Sequence, residues 1–307
     1  MIKQFLFKSI GLFFNVNYFF FPKLATKWAI YVFSTPQRKP IREKEAEFLK
    51  TAQITKRAVG DLPIVEYQWG NPTDPLIVLS YGWEYNAGRW RYFVPVLLEA
   101  GYRVVAYDPP GHGNAPNGQM NIPRNAVIIR DLILKNGQPE AIVAHSFGGG
   151  SSVFALHELP ERYHPKRLVI MAAFSYAPRI FREFAKALGV TEALYYRVVR
   201  TFEQNVGRRL EEFDFARMAG DLHHVSGLLV HSPGDDVTPY AEAQRFFNFW
   251  DGAALLSPEK GGHHLGTAET TKAVLDFAIS GKLPEKVEVQ HFPVEVGHDL
   301  VRYFPGM

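Results

Sequence analysis

The chain has 307 residues, 47% of them apolar, with 34 Lys and Arg against 31 Asp and Glu and no cysteine. That size fits one large α/β domain or two small ones, and the apolar share supports a sizeable core and excludes a disordered chain. The near balance of intermixed charges excludes a dedicated nucleic-acid binder, which would carry a basic face. The lack of cysteine excludes disulfides, thiolate catalysis and cysteine zinc sites, and fits a reducing, cytoplasmic compartment.

Residues 5–33 are rich in Phe, Leu, Ile, Tyr and Trp, but Lys8, Asn15, Asn17, Pro22, Lys23 and Lys27 interrupt them. No uninterrupted apolar run of ~18 residues results, and no clear small-residue cleavage site follows. The segment is expected to be a helical arm, residues 1–50 with a charged stretch from Arg38 to Lys50, packed on the protein body or on a partner subunit. The alternative is an interfacial helix that places aromatic rings in a bilayer and lysines at the headgroups, a peripheral membrane contact through residues 5–33.

Beyond the arm, Ile64–Trp69 reads as a strand closed by the turn Gly70-Asn71-Pro72. Leu76–Tyr81 is a short apolar run suited to a strand buried on both faces. Trp90–Ala100 reads as a helix stopped by Gly101, Arg103–Tyr107 as a strand and Pro123–Lys135 as a helix. Ala141–His145 is a strand, Phe147–Glu158 a helix and Arg167–Ala172 a strand. From Phe174 to His223 the alternation pauses in a mainly helical stretch with apolar anchors such as Phe181, Phe184, Leu188 and Phe202. It resumes with strand Leu228–His231, helix Tyr240–Trp250, strand Ala253–Ser257 and helix Ala268–Ile279. A tail follows Gly281, with strand character over Val287–Phe292. Alternating short apolar strands and helices predict a mostly parallel sheet covered on both faces. The core is expected over residues 51–173 and 224–285, with an insertion at 174–223 and a tail at 286–307.

The chemistry-bearing residues sit at the strand ends. Ser146 lies in Ala144-His145-Ser146-Phe147-Gly148, where a buried strand meets a helix. Such a junction forces a tight turn that pushes the hydroxyl out beyond the strand, and it needs small residues two positions either side. Alone, the serine could equally be a helix N-cap. A serine nucleophile needs a base, and the base needs a carboxylate to hold its tautomer. Asp235 follows strand Leu228–His231 in the loop Ser232–Pro239, with Asp236 as its competitor. His263 follows Gly262 after the last predicted strand, with His264 as the alternative. The order Ser, acid, His is the one this kind of sheet uses. His112, His145 and His231 read as packing or loop residues, and His298 is an outside candidate in the tail. For the oxyanion hole, the backbone N–H groups of Trp83 and Phe147 are the candidate donors.

With those residues in hand, the chain resembles the α/β-hydrolase superfamily of esterases and lipases over about Pro63 to Gly281. Four features carry the resemblance: Tyr81-Gly82-Trp83, the loop Asp108-Pro109-Pro110-Gly111-His112-Gly113, the elbow Ala144–Gly148, and the ordered Asp235 and His263. More narrowly, it is similar to a bacterial branch whose oxyanion loop reads Gly-Trp-Glu, here Gly82-Trp83-Glu84. Tyr81 stands where the family usually has His, and Ala144 where it usually has Gly; the Tyr is expected to alter the pocket mouth or the oxyanion loop. The resemblance implies an α/β-hydrolase fold, with the 174–223 insertion as a cap whose aromatics line an apolar pocket or simply pack on the sheet. It also implies hydrolysis of a small-molecule ester through an acyl-enzyme, with no metal or organic cofactor. Thioester, amide or carbon–carbon bond hydrolysis and acyl transfer use the same triad. Epoxide hydrolysis usually needs an Asp nucleophile. A ligand-binding protein that has lost catalysis on the same fold is the non-enzymatic rival.

Overall fold

The computed structural model describes residues 2–289. The chain begins with helices α1 (Ile2–Phe20), α2 (Pro22–Ser34) and α3 (Glu43–Leu49). Strands β1 (Gln53–Val59), β2 (Leu62–Trp69) and β3 (Leu76–Ser80) follow, then α4 (Val94–Glu99), β4 (Arg103–Asp108), α5 (Ile122–Asn136), β5 (Ala141–His145), α6 (Phe147–His157) and β6 (Arg167–Met171). Next come α7 (Ala177–Leu188), α8 (Glu192–Val206), α9 (Phe215–Gly220), β7 (Ser226–Val230), α10 (Ala241–Phe249), β8 (Ala253–Leu256), α11 (Ala268–Ser280) and β9 (Glu288–Val289).

The strands form one sheet in the order β1-β2-β4-β3-β5-β6-β7-β8-β9. Pairing from β4 through β8 is parallel, and β1, β2 and β9 attach antiparallel. Strands β3 and β5 are buried along their whole length, and β6 and β7 at every residue but the first. This is why they read as continuous apolar runs: helices cover both faces of a parallel sheet. The loops that leave β3, β5, β7 and β8 meet at one edge of the sheet, and the candidate site is built there.

Two elements differ from expectation. Strand β1 went unread because it is an edge strand with alternating exposure and charged residues such as Lys56 and Arg57. Its signal was the dipeptide Gly60-Asp61 between Val59 and Leu62, which pair across a two-residue hairpin with Gly60 at φ 59°. The helix expected over Trp90–Ala100 is instead a 3-10 turn (Ala87–Tyr92) followed by α4. Pro95 lacks an N–H and its ring would clash with the Arg91 carbonyl in a continuous helix, so the α-helix restarts at Val94.

The insertion between β6 and β7 is helical, α7 to α9, but most of its aromatics are spent on packing. Phe181, Phe213 and Phe215 are buried in the core cluster on one face of the sheet. Phe154 of α6 lies 5.3 Å from Phe213, and Phe202 bridges Phe213 and Phe181. Arg179 bonds the buried Glu242 of α10 at 2.6 Å, and Arg245 grips Asp214, so the insertion is fastened to the core by charge as well.

The arm packs on this insertion. Phe14 and Ala29 form a small buried cluster with Leu188 and Leu194, and Phe33 sits between Phe181 and Phe184. The Asn15 side chain donates to the Gly189 carbonyl and accepts from the Thr191 N–H, closing the α7–α8 turn. Gly11 is required there, because a Cβ would fall 1.8 Å from the Leu188 carbonyl oxygen. Of the tail strand expected over Val287–Phe292, β9 occupies Glu288–Val289; residues 290–292 and His298 lie outside the described residues.

Candidate active site

Ser146 occupies the turn between β5 and α6 with φ 52° and ψ −116°, a left-handed backbone that a non-glycine residue adopts only under constraint. The constraint is close packing. A Cβ on Gly148 would lie 2.6 Å from the carbonyl oxygen of Ser80, and one on Gly149 would lie 2.6 Å from Ala173 Cβ. On the other side of the turn Ala144 is fully buried opposite Ser80 in β3. A methyl group is thus accommodated at 144 but not at 148. The hydroxyl is thereby presented at the strand end, half-buried.

His263 reaches it from a 3-10 turn after β8. The His263 Nε2 atom lies 3.1 Å from Ser146 Oγ, and Nδ1 lies 2.9 Å from Asp235 Oδ2. In the tautomer this geometry calls for, Nδ1–H donates to the carboxylate and Nε2 accepts the serine proton. The Asp235 side chain is buried. Burial pushes its acidity down in strength, but hydrogen bonds from His231, His263 and the Thr238 and Val237 amides outweigh burial and hold the carboxyl well below the usual carboxylate range. Both amide bonds are 2.8 Å and end on Oδ1, leaving Oδ2 aimed at the histidine.

The competitors are placed elsewhere. Asp236 is exposed beside Val237. The His264 ring bonds the Tyr85 hydroxyl at 2.7 Å. His231, read as a packing residue, has a second contact: its Nε2 donates to the Thr238 carbonyl at 2.8 Å and lies 3.3 Å from Asp235 Oδ2.

The loop after β3 runs directly over the nucleophile. A Cβ on Gly82 would lie 2.9 Å from His145 Nδ1 and 3.1 Å from Ser146 Cβ, so only glycine lets the loop pass. Neither the Trp83 nor the Phe147 N–H donates to another group among the described residues. The two side chains meet edge to face at 5.2 Å, and the His112 ring stacks on Phe147. Tyr81 lines a small cavity beside Phe147, with Tyr107, Pro109 and Asn125. It is buried, and its hydroxyl donates to Asp108 Oδ1 at 2.7 Å. Asp108 also accepts from the Ala87 N–H, the Asn114 N–H and the Tyr67 hydroxyl, at 2.8 to 2.9 Å. One buried carboxylate therefore ties β2, the oxyanion loop and the loop after β4 together. Burial pushes its pKa up against those four bonds. Gly113 is needed beside it, since a Cβ would fall on the carboxylate.

Two more side chains act on the histidine loop through its backbone. His145 Nε2 donates to the His263 carbonyl at 2.7 Å, and Arg89 donates to the His264 carbonyl at 2.6 Å. Sequence reading missed Asp108, His145, Arg89 and His231 as site residues. Only Asp108 had a signal, as the first residue of the Asp108–Gly113 motif at the end of β4. The end of the arm also reaches the site: the Gln37 N–H donates to Glu84 at 2.9 Å, and Lys39 lies 3.7 Å from the same carboxylate. Among the described residues no group of three or more His, Asp or Glu side chains is placed to hold a metal ion.

The chain is 28% identical over 107 residues to the bifunctional esterase/perhydrolase DCH of Acinetobacter calcoaceticus, covering 34% of this chain and 39% of that protein. It is 39% identical over 46 residues to epoxide hydrolase A of Mycobacterium tuberculosis, covering 15% of this chain and 14% of that protein. Both relatives are thus spanned over well under half of their length. Among solved structures, the esterase EaEST from Exiguobacterium antarcticum superposes with a TM-score of 0.56 at 18% identity, over 75% of this chain and all of that one. The family model for the α/β-hydrolase fold matches residues 75–264, and the chain belongs to that family.

Proposed function

We propose that the protein is a serine hydrolase that cleaves a carboxylic ester of a small molecule through an acyl-enzyme intermediate. The observation that carries this reading is the relay Ser146 Oγ to His263 Nε2 at 3.1 Å and His263 Nδ1 to Asp235 at 2.9 Å. Ser146 attacks the ester carbonyl while His263 takes its proton. Asp235 stays ionised and stabilises the imidazolium. The Trp83 and Phe147 amides supply the oxyanion donors, each worth about two to three decades in rate. His263 then protonates the leaving alkoxide and activates the water that deacylates Ser146. A hydroxyl rather than a carboxylate at the elbow argues against the epoxide chemistry named for one relative, and the esterase named for the other supports the ester. The residues at hand perform these steps with no metal or organic cofactor.

The test uses a fluorophosphonate probe and p-nitrophenyl esters of short and medium chain length. Wild-type protein should label covalently and turn over an ester, and Ser146→Ala should do neither. Labelling that persists in Ser146→Ala removes Ser146 as the nucleophile, and a folded wild type that neither labels nor hydrolyses removes the reading in favour of a binding protein. Turnover of thioesters without esters would keep the relay and change the substrate.

A further inference from the structure

We propose that the face of the α1–α2 hairpin turned away from the insertion is a docking surface for an anionic lipid bilayer. The inference is independent of the ester chemistry. Helix α1 is apolar on two sides. Its inner side, Ile10, Phe14 and Tyr18 at helical spacing, packs on the insertion. Its outer side presents Leu12, Phe13, Val16, Phe19 and Phe20 to solvent. A helix that is apolar all round is normally buried all round. At the turn into α2 the exposure peaks, with Phe19, Phe20 and Phe21 at 82%, 65% and 61%.

These side chains form a patch. Phe19 lies 5.0 Å from Phe20 and Phe20 lies 6.4 Å from Phe21, and Phe13 stacks on Trp28 of α2 at 5.4 Å. Among the described residues, ten of the 19 exposed large apolar side chains fall within residues 7–32, while the others are scattered over the rest of the chain. Contiguous patches of this kind mark interaction surfaces, and scattered ones do not. Polar groups along α1 are spent elsewhere. Lys8, Asn15 and Tyr18 bond backbone groups of the insertion, and Asn17 bonds the Phe13 carbonyl of its own helix.

Charge selects the occupant. The first 42 residues hold seven Lys and Arg, including exposed Lys23 and Lys27 beside the aromatic turn, and no Asp or Glu. Of the chain's 34 basic and 31 acidic side chains, the rest keeps 27 basic against all 31 acidic. A second copy meeting this face with its own would set cations against cations. An anionic headgroup layer matches it, with each lysine near the surface adding about a fivefold gain in partitioning. No described helix is long and apolar enough to cross a membrane, so the hairpin would lie in the interface with its rings among the upper acyl chains.

The experiment is flotation of the full chain with phosphatidylcholine vesicles and with vesicles containing phosphatidylglycerol, at low and raised salt. Two variants accompany it: Phe19→Ser with Phe20→Ser and Phe21→Ser, and Lys23→Glu with Lys27→Glu. Circular dichroism melts check that both keep the fold. The wild type should float with the anionic vesicles. The triple variant should partition roughly tenfold less or weaker still, and the lysine pair should lose the preference for anionic lipid. A wild type that stays in the pellet with anionic vesicles at low salt overturns the proposal. So does a triple variant that floats as well as wild type, or one whose only change is from dimer to monomer.

Discussion

Replacing Asp235 by Asn changes one atom of the relay and tests its electrostatics. The Asn side chain can still accept the Val237 and Thr238 amide bonds through its oxygen. Its NH2 then faces His263 Nδ1 at the position where the carboxylate stood 2.9 Å away. Two losses follow. An imidazolium and a carboxylate with charge centres about 4 Å apart attract by about 4 kcal/mol at an effective dielectric constant near 20, or about three decades in rate. The amide also favours the tautomer that carries its proton on Nε2, which no longer accepts the Ser146 proton. Together they predict a fall in kcat of about 10³- to 10⁴-fold with little change in KM, measured on the best p-nitrophenyl ester. Asp236→Asn, one residue along and exposed, should keep the wild-type rate within about twofold. Asp235→Asn retaining a tenth of the wild-type rate, or Asp236→Asn losing as much as Asp235→Asn, would refute the assignment of the acid.

Two further outcomes follow from the buried groups around the site. Tyr81→Phe removes a 2.7 Å hydrogen bond to the buried Asp108 carboxylate. It should lower unfolding stability in urea by about 1.5–3 kcal/mol, and a loss under about 0.5 kcal/mol would show that the bond holds nothing. Burial pushes the His112 imidazole down to about 4 from its ordinary value near 6.5. Between those pH values the unfolded chain binds a proton that the folded chain does not, so stability present above about pH 6.5 is lost as the pH falls towards 4. The size is about 3 kcal/mol. Asp235 contributes outside this window, since its depressed pKa removes stability only below the usual carboxylate range. His112→Gln should therefore flatten the stability curve between pH 6.5 and 4, and equal slopes in the two proteins would contradict the burial argument.

Much of the fold was legible because the parallel strands are buried on both faces. Leu76–Ser80, Ala141–His145 and Ser226–Val230 are mostly apolar runs too short to be helices, and each ends at a loop with chemistry in it. Ser146, Asp235 and His263 could be picked out because a strand-to-helix serine, then an acid, then a histidine must fall in that order along such a sheet. The edge strand β1 was not legible. Its partner covers one side only, so its pattern alternates and its charged residues resemble a loop. The 3-10 turn before α4 was lost for a different reason: Trp90 and Leu97 share a helical spacing that a single proline interrupts.

The residues that were missed in the site share one property: each acts on the backbone or on another polar side chain rather than on a place where substrate would sit. The turn carrying His263 holds Gly261 at φ 109°, Gly262 at φ 48° and Leu265 at φ 51°. A short turn with three left-handed residues has little hydrogen bonding of its own to fix it. Its carbonyls at 263 and 264 are instead held by His145 and Arg89, side chains from β5 and from the 3-10 turn before α4. His145 precedes the nucleophile in sequence, so one residue orients the loop of the base while its neighbour supplies the hydroxyl. Burial, ahead of any neighbouring charge, pushes the His145 imidazole well below its ordinary range. It therefore stays neutral and donates through Nε2 across the pH range in which the base must accept a proton. Such a bond has no motif, because any donor of suitable length at position 145 would serve the carbonyl. It becomes visible only when the chain is folded and the acceptor, 118 residues away, is brought to 2.7 Å.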